Sequence, residues 1–267
     1  MTPSHNTILA NRLTVILAIL SCLLVGGCAT TQSTTTQGTT TQETSERNID
    51  PIEPTNRVIY SINETIDEMF IKPVAGTYAY VTPDPARQSI SNFFNNLGYL
   101  NVILNSFLQG KGAQGWSDTS RFLINSTLGI GGLFDVADDL GFPSHDEDLG
   151  QTLAVWGVDQ GAYLYLPIVG PRTARHTPDV ASSTLTNPLF YVTSSILYPI
   201  AALGVVSKRA ELLEATRMRD EAALDAYLFT REAYLQRRNY LIHDGNPPAT
   251  GYTDIFDMEN GEPPAPE

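Results

Sequence analysis

The sequence has few basic residues. Lys and Arg total 16 against 29 Asp and Glu in 267 residues, which gives a formal net charge of −13 at pH 7. Nucleic-acid binding needs clustered Lys and Arg to neutralise phosphates, so no nucleic-acid partner is expected. The overall charge is also not attracted to anionic lipid head groups. Any contact with lipid is therefore expected to use apolar faces or a covalent anchor.

Long uninterrupted apolar runs are also scarce. The run from Leu13 to Val25 is shorter than the roughly 20 residues that a bilayer span needs, and it follows Arg12 and precedes Gly26, Gly27 and Cys28. This layout is typical of a secretory signal. An aliphatic residue three positions before Cys28 and small residues beside it resemble a bacterial lipobox. We therefore predict a lipoprotein signal peptide at 1–27 and a diacylglycerol on Cys28. Ordinary signal cleavage, with Cys28 as a bystander, is the alternative.

Cysteine is nearly absent. The only other one, Cys22, lies inside the signal, so the mature chain is expected to have no disulfide. A Thr/Gln/Ser tract follows Cys28 and cannot offset the entropy of ordering, which predicts a disordered lipidated tether over 28–49. We expect a folded domain over 50–243 and an acidic, Pro-rich tail over 244–267. Because Ala29 and not Asp follows the cysteine, lipoprotein sorting favours the outer membrane.

No strand-rich block or repeat is apparent, and apolar residues recur mainly at helical spacing, so the predicted fold is mainly α. We predict a helix over Pro54–Phe70 that ends at Pro73, and a helix after Pro83 with Asp84 as its cap and a break at Gly98. Further helices are predicted over 113–128, 207–213 and 220–242. Tyr163, Tyr165 and Ile168 suggest a short extended piece around Pro167.

The most informative stretch is Arg121–Leu140, where two amphipathic runs flank a glycine cluster. After the glycines, an apolar stripe at helical spacing opposes an acidic side. Its apolar members are Leu133, Val136, Ala137 and Leu140, and its acids are Asp135, Asp138 and Asp139. Taken alone, this stretch favours an ordinary helical hairpin in a soluble core.

Residues 187–206 are almost free of charge, but Pro188 and Pro199 argue against a transmembrane helix. Burial in a core and an orientation within one leaflet both remain open from the sequence. The following region to residue 242 mixes seven basic residues with acids, which favours a solvated mixed-charge face.

Recognisable catalytic motifs are missing, and the mature chain's histidines (His145, His176 and His243) are isolated from one another. The segment His145–Asp148 could hold a divalent cation. Its acids are consecutive and do not alternate as in calcium loops, so an exposed polar loop is favoured. We predict no enzyme activity, no metal and no cofactor, although a catalytic site assembled in space stays open.

Ordered motifs from Asp50 to Gly245 resemble the MlaA/VacJ family of outer-membrane lipoproteins. The opening signature is Asp50-Pro51, Glu53, Asn56-Arg57, Tyr60, Asn63, Asp67 and Pro73-Val74-Ala75. The central signature includes Asn105, Leu108-Gln109-Gly110, Arg121-Phe122, Asn125, Thr127, Gly129, Gly132, Asp135 and Gly150-Gln151-Thr152-Leu153. The terminal signature is Asp225, Tyr227, Arg231, Ala233-Tyr234 and Gln236-Arg237-Arg238. Ile62, Gly98-Tyr99 and His176-Thr177-Pro178 depart from the usual family residues.

The resemblance implies a ring-like bundle of amphipathic helices with a central amphipathic channel, embedded in one leaflet of the outer membrane from the periplasmic side. It implies removal of mislocalised phospholipids from the outer leaflet, with a periplasmic phospholipid carrier and a trimeric porin as partners. Candidate lipid-channel residues are Asn63, Asn125, Thr127, Gly129, Gly131, Gly132 and Asp135, with the glycines as a flexible turn and candidate gate. The alternatives are a lipid-modifying hydrolase and a non-transporting envelope scaffold that binds porins.

Overall fold

The computed structural model describes residues 49–192 and 197–248. Its elements are, in chain order, α1 (Glu53–Ile66), a π-helical turn (Asp67–Ile71), α2 (Lys72–Val81), α3 (Asp84–Leu108), α4 (Gly112–Thr127), α5 (Val136–Asp139), α6 (Leu149–Val155), β1 (Tyr163–Leu166), β2 (Gly170–Thr173), α7 (Asp179–Thr186), a 3₁₀ turn (Pro188–Tyr191), α8 (Leu197–Glu211), α9 (Leu213–Ala222) and α10 (Ala226–Ile242). The mainly α prediction is confirmed. The predicted signal peptide, Cys28, almost all of the tether and most of the tail lie outside the described residues.

The prediction that the first helix ends at Pro73 is wrong. The chain passes from α1 through the π-helical turn directly into α2, and Pro73 lies in the first turn of α2. Proline lacks an N–H and clashes with the carbonyl four residues earlier in a regular helix. Here the Lys72 N–H donates to the Asp67 carbonyl five residues back, and this widened turn lets the helix continue past the proline.

The helix after Pro83 is continuous, so the predicted break at Gly98 is wrong. Pro85 lies in the first turn as predicted. Asp84 is a residue of α3 that makes no side-chain cap bond, and its carboxylate pairs with Arg87 one turn later. Helix α4 agrees with the predicted span to one residue at each end.

A two-stranded antiparallel hairpin follows α6, and its register pairs Tyr163 with Thr173 and Leu166 with Gly170. Two asparagines seven residues apart on α1 bind its backbone. The Asn56 amide donates to the Tyr163 carbonyl at 3.1 Å and accepts from the Tyr165 N–H at 2.9 Å. Asn63 binds the Leu166 carbonyl and the Ile168 N–H, both at 3.0 Å. The predicted extended piece is β1, whereas Ile168 lies in the turn at φ +66°.

The interior of this protein is polar. In the described part of the chain, no Leu, Ile, Val, Phe, Met or Trp side chain is fully buried. Tyrosines form the main buried hydrophobic cluster (Tyr60, Tyr163, Tyr165 and Tyr227). Buried polar side chains are numerous and include Asn56, Asn105, Asp118, Gln151 and Thr152. The usual distribution of a water-soluble domain is therefore inverted.

Residues 121–140 follow the same inversion. Arg121, Asn125, Gly129 and Gly132 are buried, while large apolar residues of this stretch face outward: Leu123, Leu128, Ile130, Phe134 and Leu140. The apolar stripe after the glycines does not form one packed helix, because only Val136–Asp139 is helical and Leu140 is 57% exposed. The ordinary soluble-core hairpin favoured by the stretch alone is therefore wrong.

The charge-poor region does not form a core either. Tyr191, Val192, Tyr198, Leu203 and Val205 are exposed. Among the residues with described structure, none of the helices is sufficiently long and apolar to cross a membrane. The predicted helix over 220–242 is divided between α9 and α10, because Asp225 accepts from the Leu228 N–H at 3.1 Å and caps a new helix.

Candidate functional site

A cavity of about 600 Å³, open to solvent, lies between several helices and the hairpin. Helix α3, residues 144–148, β2, α7, α8 and α10 supply its wall. The wall contains carboxylates and cations in equal number: Asp146, Glu147, Asp148, Asp179, Arg172, Lys208, Arg237 and Arg238. Apolar side chains such as Phe94, Val102 and Leu241 interrupt this polar lining. The cavity therefore offers contacts to both signs of charge and to some apolar groups.

Residues 145–148 form one side of this wall, with Glu147 and Asp148 largely buried and Asp146 exposed. The buried Glu147 carboxylate accepts from Gln109 at 2.7 Å, Lys111 at 2.8 Å and Gln114 at 2.7 Å. Asp118, which is fully buried, lies 2.7 Å from His145 Nδ1. The predicted exposed loop holds for Asp146 but is wrong for Glu147 and Asp148, whose donors compensate the desolvation of their carboxylates.

The second interpretation of this segment was a cation site. The described residues contain no group of three or more His, Cys, Asp or Glu side chains that could hold a metal ion. Each carboxylate between His145 and Asp148 instead faces a protein cation: Asp146 faces Arg237, Glu147 faces Lys111, and Asp148 faces Arg238.

His176 lies at the centre of the wall between two carboxylates. Its Nε2 is 3.6 Å from Asp148 and 3.7 Å from Asp179, and its Nδ1 is 2.9 Å from the Tyr234 hydroxyl. Burial lowers the pKa of His176 to about 3, and the positive charge of Arg238, Arg172 and Arg175 contributes in the same direction. The imidazole is therefore neutral at physiological pH.

The two carboxylates beside His176 differ. Burial raises the pKa of Asp179. Burial also opposes ionisation of Asp148, but the hydrogen bond and charge of Arg238 dominate and lower its pKa. Arg238 is itself buried and binds Asp148 through both Nη atoms. The charged pair of this cluster is therefore Asp148 with Arg238.

Stability should fall as the pH decreases from 7 to 5, because of His176. Its folded-state pKa lies below the unfolded value of 6.5, so the unfolded state binds the extra proton in this window. Linkage predicts a loss of about 2 kcal/mol in the free energy of unfolding. A His176→Asn variant should show a flatter pH dependence of the melting temperature in detergent. His243→Asn is the matched control because His243 is exposed, and equal slopes for both variants would contradict the assignment.

A second, smaller polar cavity of about 70 Å³ adjoins the first and shares Asn95, Tyr99 and Ser144 with it. Arg121, Asn125 and Asp135 form its opposite wall. The Arg121 guanidinium donates to the Asp135 carboxylate and to the Phe142 carbonyl.

Asn125 ties this smaller cavity to α5. Its amide donates to Asp135 at 2.9 Å and accepts from the Ala137 N–H at 2.9 Å. The amide thereby holds the chain after the glycines against α4.

Of the candidate channel residues, Asn125 and Asp135 line a cavity, and both line the smaller one. Asn63 is elsewhere, bound to the hairpin turn, and the Thr127 hydroxyl is exposed and donates to the Leu123 carbonyl at 2.6 Å. Their roles in lipid passage stay predictions.

The three glycines differ in their surroundings. A Cβ on Gly129 would meet the Asn125 and Phe134 backbone, and one on Gly132 would meet Asn96. Space around Gly131 is open, and both Gly131 and Gly132 have positive φ, +71° and +91°. Gly131, which has both a positive φ and open space around it, is therefore the glycine that fits the predicted flexibility of the turn best.

Sequence reasoning missed the basic residues of the cavity. The solvated mixed-charge face predicted for the last helices holds for Lys208, Arg217 and Arg237, but Arg238 is buried. Arg209 pairs with Asp67 at 2.7 Å and Arg219 with Glu64 at 2.7 Å, and both arginine side chains are largely buried. A usable signal was present, because Tyr227, Tyr234 and Arg238 recur at helical spacing on one face of α10.

An apolar groove of about 650 Å³ lies between α2 and α8. Its lining is almost wholly apolar and comprises Pro73, Val74, Thr77, Tyr78, Pro199, Ala202, Leu203 and Val206. Two residues further along α8, Lys208 lines the polar cavity. Helix α8 therefore separates an apolar groove from a polar cavity.

Comparison with known proteins identifies the family. The model of the MlaA lipoprotein family matches residues 48–241. The intermembrane phospholipid transport system lipoprotein MlaA of Shigella flexneri is 34% identical over 205 residues, which cover 73% of this chain and 79% of the relative. The protein of the same name from Haemophilus influenzae is 29% identical over 241 residues, which cover 87% and 91%. A structure solved in work on the structural basis for maintenance of bacterial outer membrane lipid asymmetry aligns with a TM-score of 0.63 at 32% identity, and covers 72% of this chain and 98% of that chain. This chain therefore belongs to the MlaA lipoprotein family.

Proposed function

We propose that this protein is an outer-membrane lipoprotein that maintains lipid asymmetry by removing mislocalised phospholipids from the outer leaflet and passing them to a periplasmic carrier. The observation that carries the proposal is the inverted distribution of polarity, in which buried side chains are mainly polar, a charged cavity opens between the helices and large apolar side chains are exposed. The names of its relatives, which are lipoproteins of an intermembrane phospholipid transport system, support the same role.

The exposed apolar surface supports embedding in a leaflet. Large apolar side chains with exposed fractions of 65% or more include Leu128, Ile130, Trp116 and Tyr198. Transfer of such surface from water to hydrocarbon releases about 25 cal/mol per Å². An exposed apolar surface of this extent is unfavourable in water and marks a membrane or protein contact. We therefore propose that the body occupies one leaflet from the periplasmic side.

The polar cavity supports a path for the lipid head. Burying a neutral polar group without a hydrogen bond costs several kcal/mol, and stripping a charged head group of its polar contacts costs more than that. Carboxylates, cations and amides along α3, α7 and α10 replace those contacts. We propose that the helices enclose this cavity as a ring and that Asn125 and Asp135 extend its polar wall through the smaller cavity. The acyl chains then stay among apolar groups, such as those of the groove between α2 and α8.

The anchor and the partners belong to the same proposal. Two or three acyl chains on Cys28, each buried CH₂ contributing about 0.8 kcal/mol, would hold the protein at its membrane. The tether over 28–49 gives the body a short reach, and a trimeric porin is the proposed neighbour in the membrane. No bond is broken in this function, so no enzyme activity and no cofactor are proposed.

Deletion of the gene should increase phospholipid in the outer leaflet, measured in intact cells as the fraction labelled by a membrane-impermeant amine-reactive reagent. Expression of the full chain should restore the normal fraction. The Cys28→Ala variant should not restore it, because without acyl chains the protein loses its anchor.

An unchanged labelled fraction in the deletion strain would contradict the transport function. The scaffold alternative expects porin to co-purify with the protein while phospholipid does not. The hydrolase alternative expects the purified protein to release fatty acid from phospholipid vesicles, and a Ser or His substitution to abolish that release.

A further inference from the structure

The polar cavity contains one cation that differs from the others. Lys208 pairs with Glu211 at 3.0 Å, Arg237 pairs with Asp146 at 2.8 Å, and Arg238 pairs with Asp148. Arg172 also lines the cavity, but within the described ranges it takes part in no ion pair. Among the described residues its side chain makes one hydrogen bond, from Nη1 to the carbonyl of the preceding residue, Pro171, at 3.1 Å.

The remaining donors of Arg172 strengthen this contrast. Its Nε is buried and has no hydrogen-bond partner among the residues that the structure describes. Burying a charged donor without an acceptor is costly, so such groups are normally paired. Within the described ranges Nη2 makes no hydrogen bond and, unlike Nε, is not buried, so this end of the guanidinium can donate to an anion that enters the cavity. The fork geometry of a guanidinium matches the oxygens of a carboxylate or a phosphate.

The surroundings of Arg172 favour an entering anion. Strand β2 fixes the backbone of Arg172, because Arg172 pairs with Leu164 in the hairpin. The Asn56 and Asn63 amides in turn hold the hairpin against α1. Nearby His176 is neutral. Two carboxylates of the same cavity wall are already engaged: Asp148 binds Arg238, and Asp179 accepts from Asn101 at 3.1 Å and from the Leu149 N–H at 3.1 Å.

We propose that Arg172 binds the phosphate group of a phospholipid head inside the polar cavity. This inference rests on the proposed function and adds the binding residue to it. Every glycerophospholipid carries a phosphodiester, so a contact at this group accepts lipids with different head groups. The paired carboxylates and cations of the wall then meet the variable part of the head.

The test measures binding to the purified full-length protein in detergent. The probes are dihexanoyl phosphatidylethanolamine, dihexanoylglycerol, which has the same chains and no phosphate, and inorganic phosphate. Arg172→Gln should weaken binding of the phospholipid by about tenfold, the loss expected for a charge-assisted contact. Binding of dihexanoylglycerol should not change, and Arg172→Lys should retain part of the affinity because it keeps the charge.

The matched control is Arg175→Gln, which removes the same net charge from the same segment. Arg175 donates to the Val158 carbonyl at 2.8 Å and does not line the cavity, so its variant should bind like the wild type. Three results would overturn the proposal: wild-type affinity in Arg172→Gln, an equal loss of dihexanoylglycerol binding, or inorganic phosphate that binds as tightly as the phospholipid.

Two comparisons keep this test decisive. If Arg172→Gln does not fold, two results are still required, or the proposal fails. The wild type must bind the phospholipid more tightly than dihexanoylglycerol, and the affinity of Arg172→Lys for the phospholipid must lie between these two wild-type affinities. A wild-type protein that binds neither dihexanoyl probe contradicts the transport function itself. Normal lipid binding by Arg172→Gln contradicts the Arg172 assignment alone.

Discussion

Replacing Arg238 with methionine should destabilise the protein by about 3–5 kcal/mol, the cost of removing one partner from a buried ion pair. Arg238 is 6% exposed, and its partner Asp148 is also largely inaccessible. Methionine keeps much of the volume but leaves the Asp148 carboxylate without a cation, since the adjacent His176 is neutral. Asp148 also caps α6 by accepting from the Gln151 N–H at 2.9 Å, so the damage extends to that helix.

The neighbouring Arg237→Met variant is the matched control on the same helix. Arg237 pairs with Asp146 at 2.8 Å, but both side chains are more than half exposed. An exposed pair of this kind contributes about 0–1 kcal/mol. The measurement is the midpoint of urea unfolding for both variants in the same detergent. Similar midpoints for Arg237→Met and Arg238→Met would show that the buried pair does not stabilise the cavity wall.

Replacing Gly129 with alanine should cost about 3 kcal/mol, the upper part of the usual range for overpacking. A Cβ at this position would lie 2.5 Å from the Asn125 carbonyl oxygen and closer still to the Phe134 carbonyl oxygen. Both neighbours are backbone atoms, so no rotamer change can relieve the contact. The Phe134 N–H also donates to the Gly129 carbonyl at 3.0 Å, which fixes the turn and prevents it from opening.

Gly76→Ala is the control for this substitution. Gly76 lies inside α2 and has open space where a Cβ would be placed. Alanine there should stabilise the protein by about 0.5–1 kcal/mol, because it restricts the unfolded chain and has a higher helix propensity. The melting temperatures of the two variants in detergent should therefore move in opposite directions. A melting temperature of Gly129→Ala equal to that of the wild type would mean that the turn repacks easily.

Local rules identified the helices well where nothing remote competes with them. Helix α4 lies within a residue of its predicted limits at both ends, and the extended piece at Tyr163 and Tyr165 is β1. The errors at Pro73 and Gly98 have one physical origin. Both residues weaken a helix locally, but the π-helical turn accommodates the proline, and α3 packs along its length against α4, α7 and α8, which outweighs the cost of a single glycine.

The candidate site was predicted less well, because its residues come together only in three dimensions. Asn125 and Asp135 are ten residues apart in the chain and both line the smaller cavity. The main cavity joins Arg172 on β2 to Lys208 on α8 and to α10, and no motif connects these positions. Arg237 and Arg238 have the same chemistry and adjacent positions, yet one is exposed and the other is buried.

The sequence by itself determined the family, the mainly α class and the amphipathic character of the helices, because these depend on motif order and residue periodicity along the chain. The direction in which the apolar faces point was decided only by the tertiary structure. Periodicity shows that a helix has an oily side, but the same pattern fits a dry core and a lipid-facing surface. In this fold the buried polar side chains are satisfied inside, as Asp118 is by Ser106, Asn125 by Asp135 and Asp148 by Arg238, so the apolar side chains are left to cover the outside.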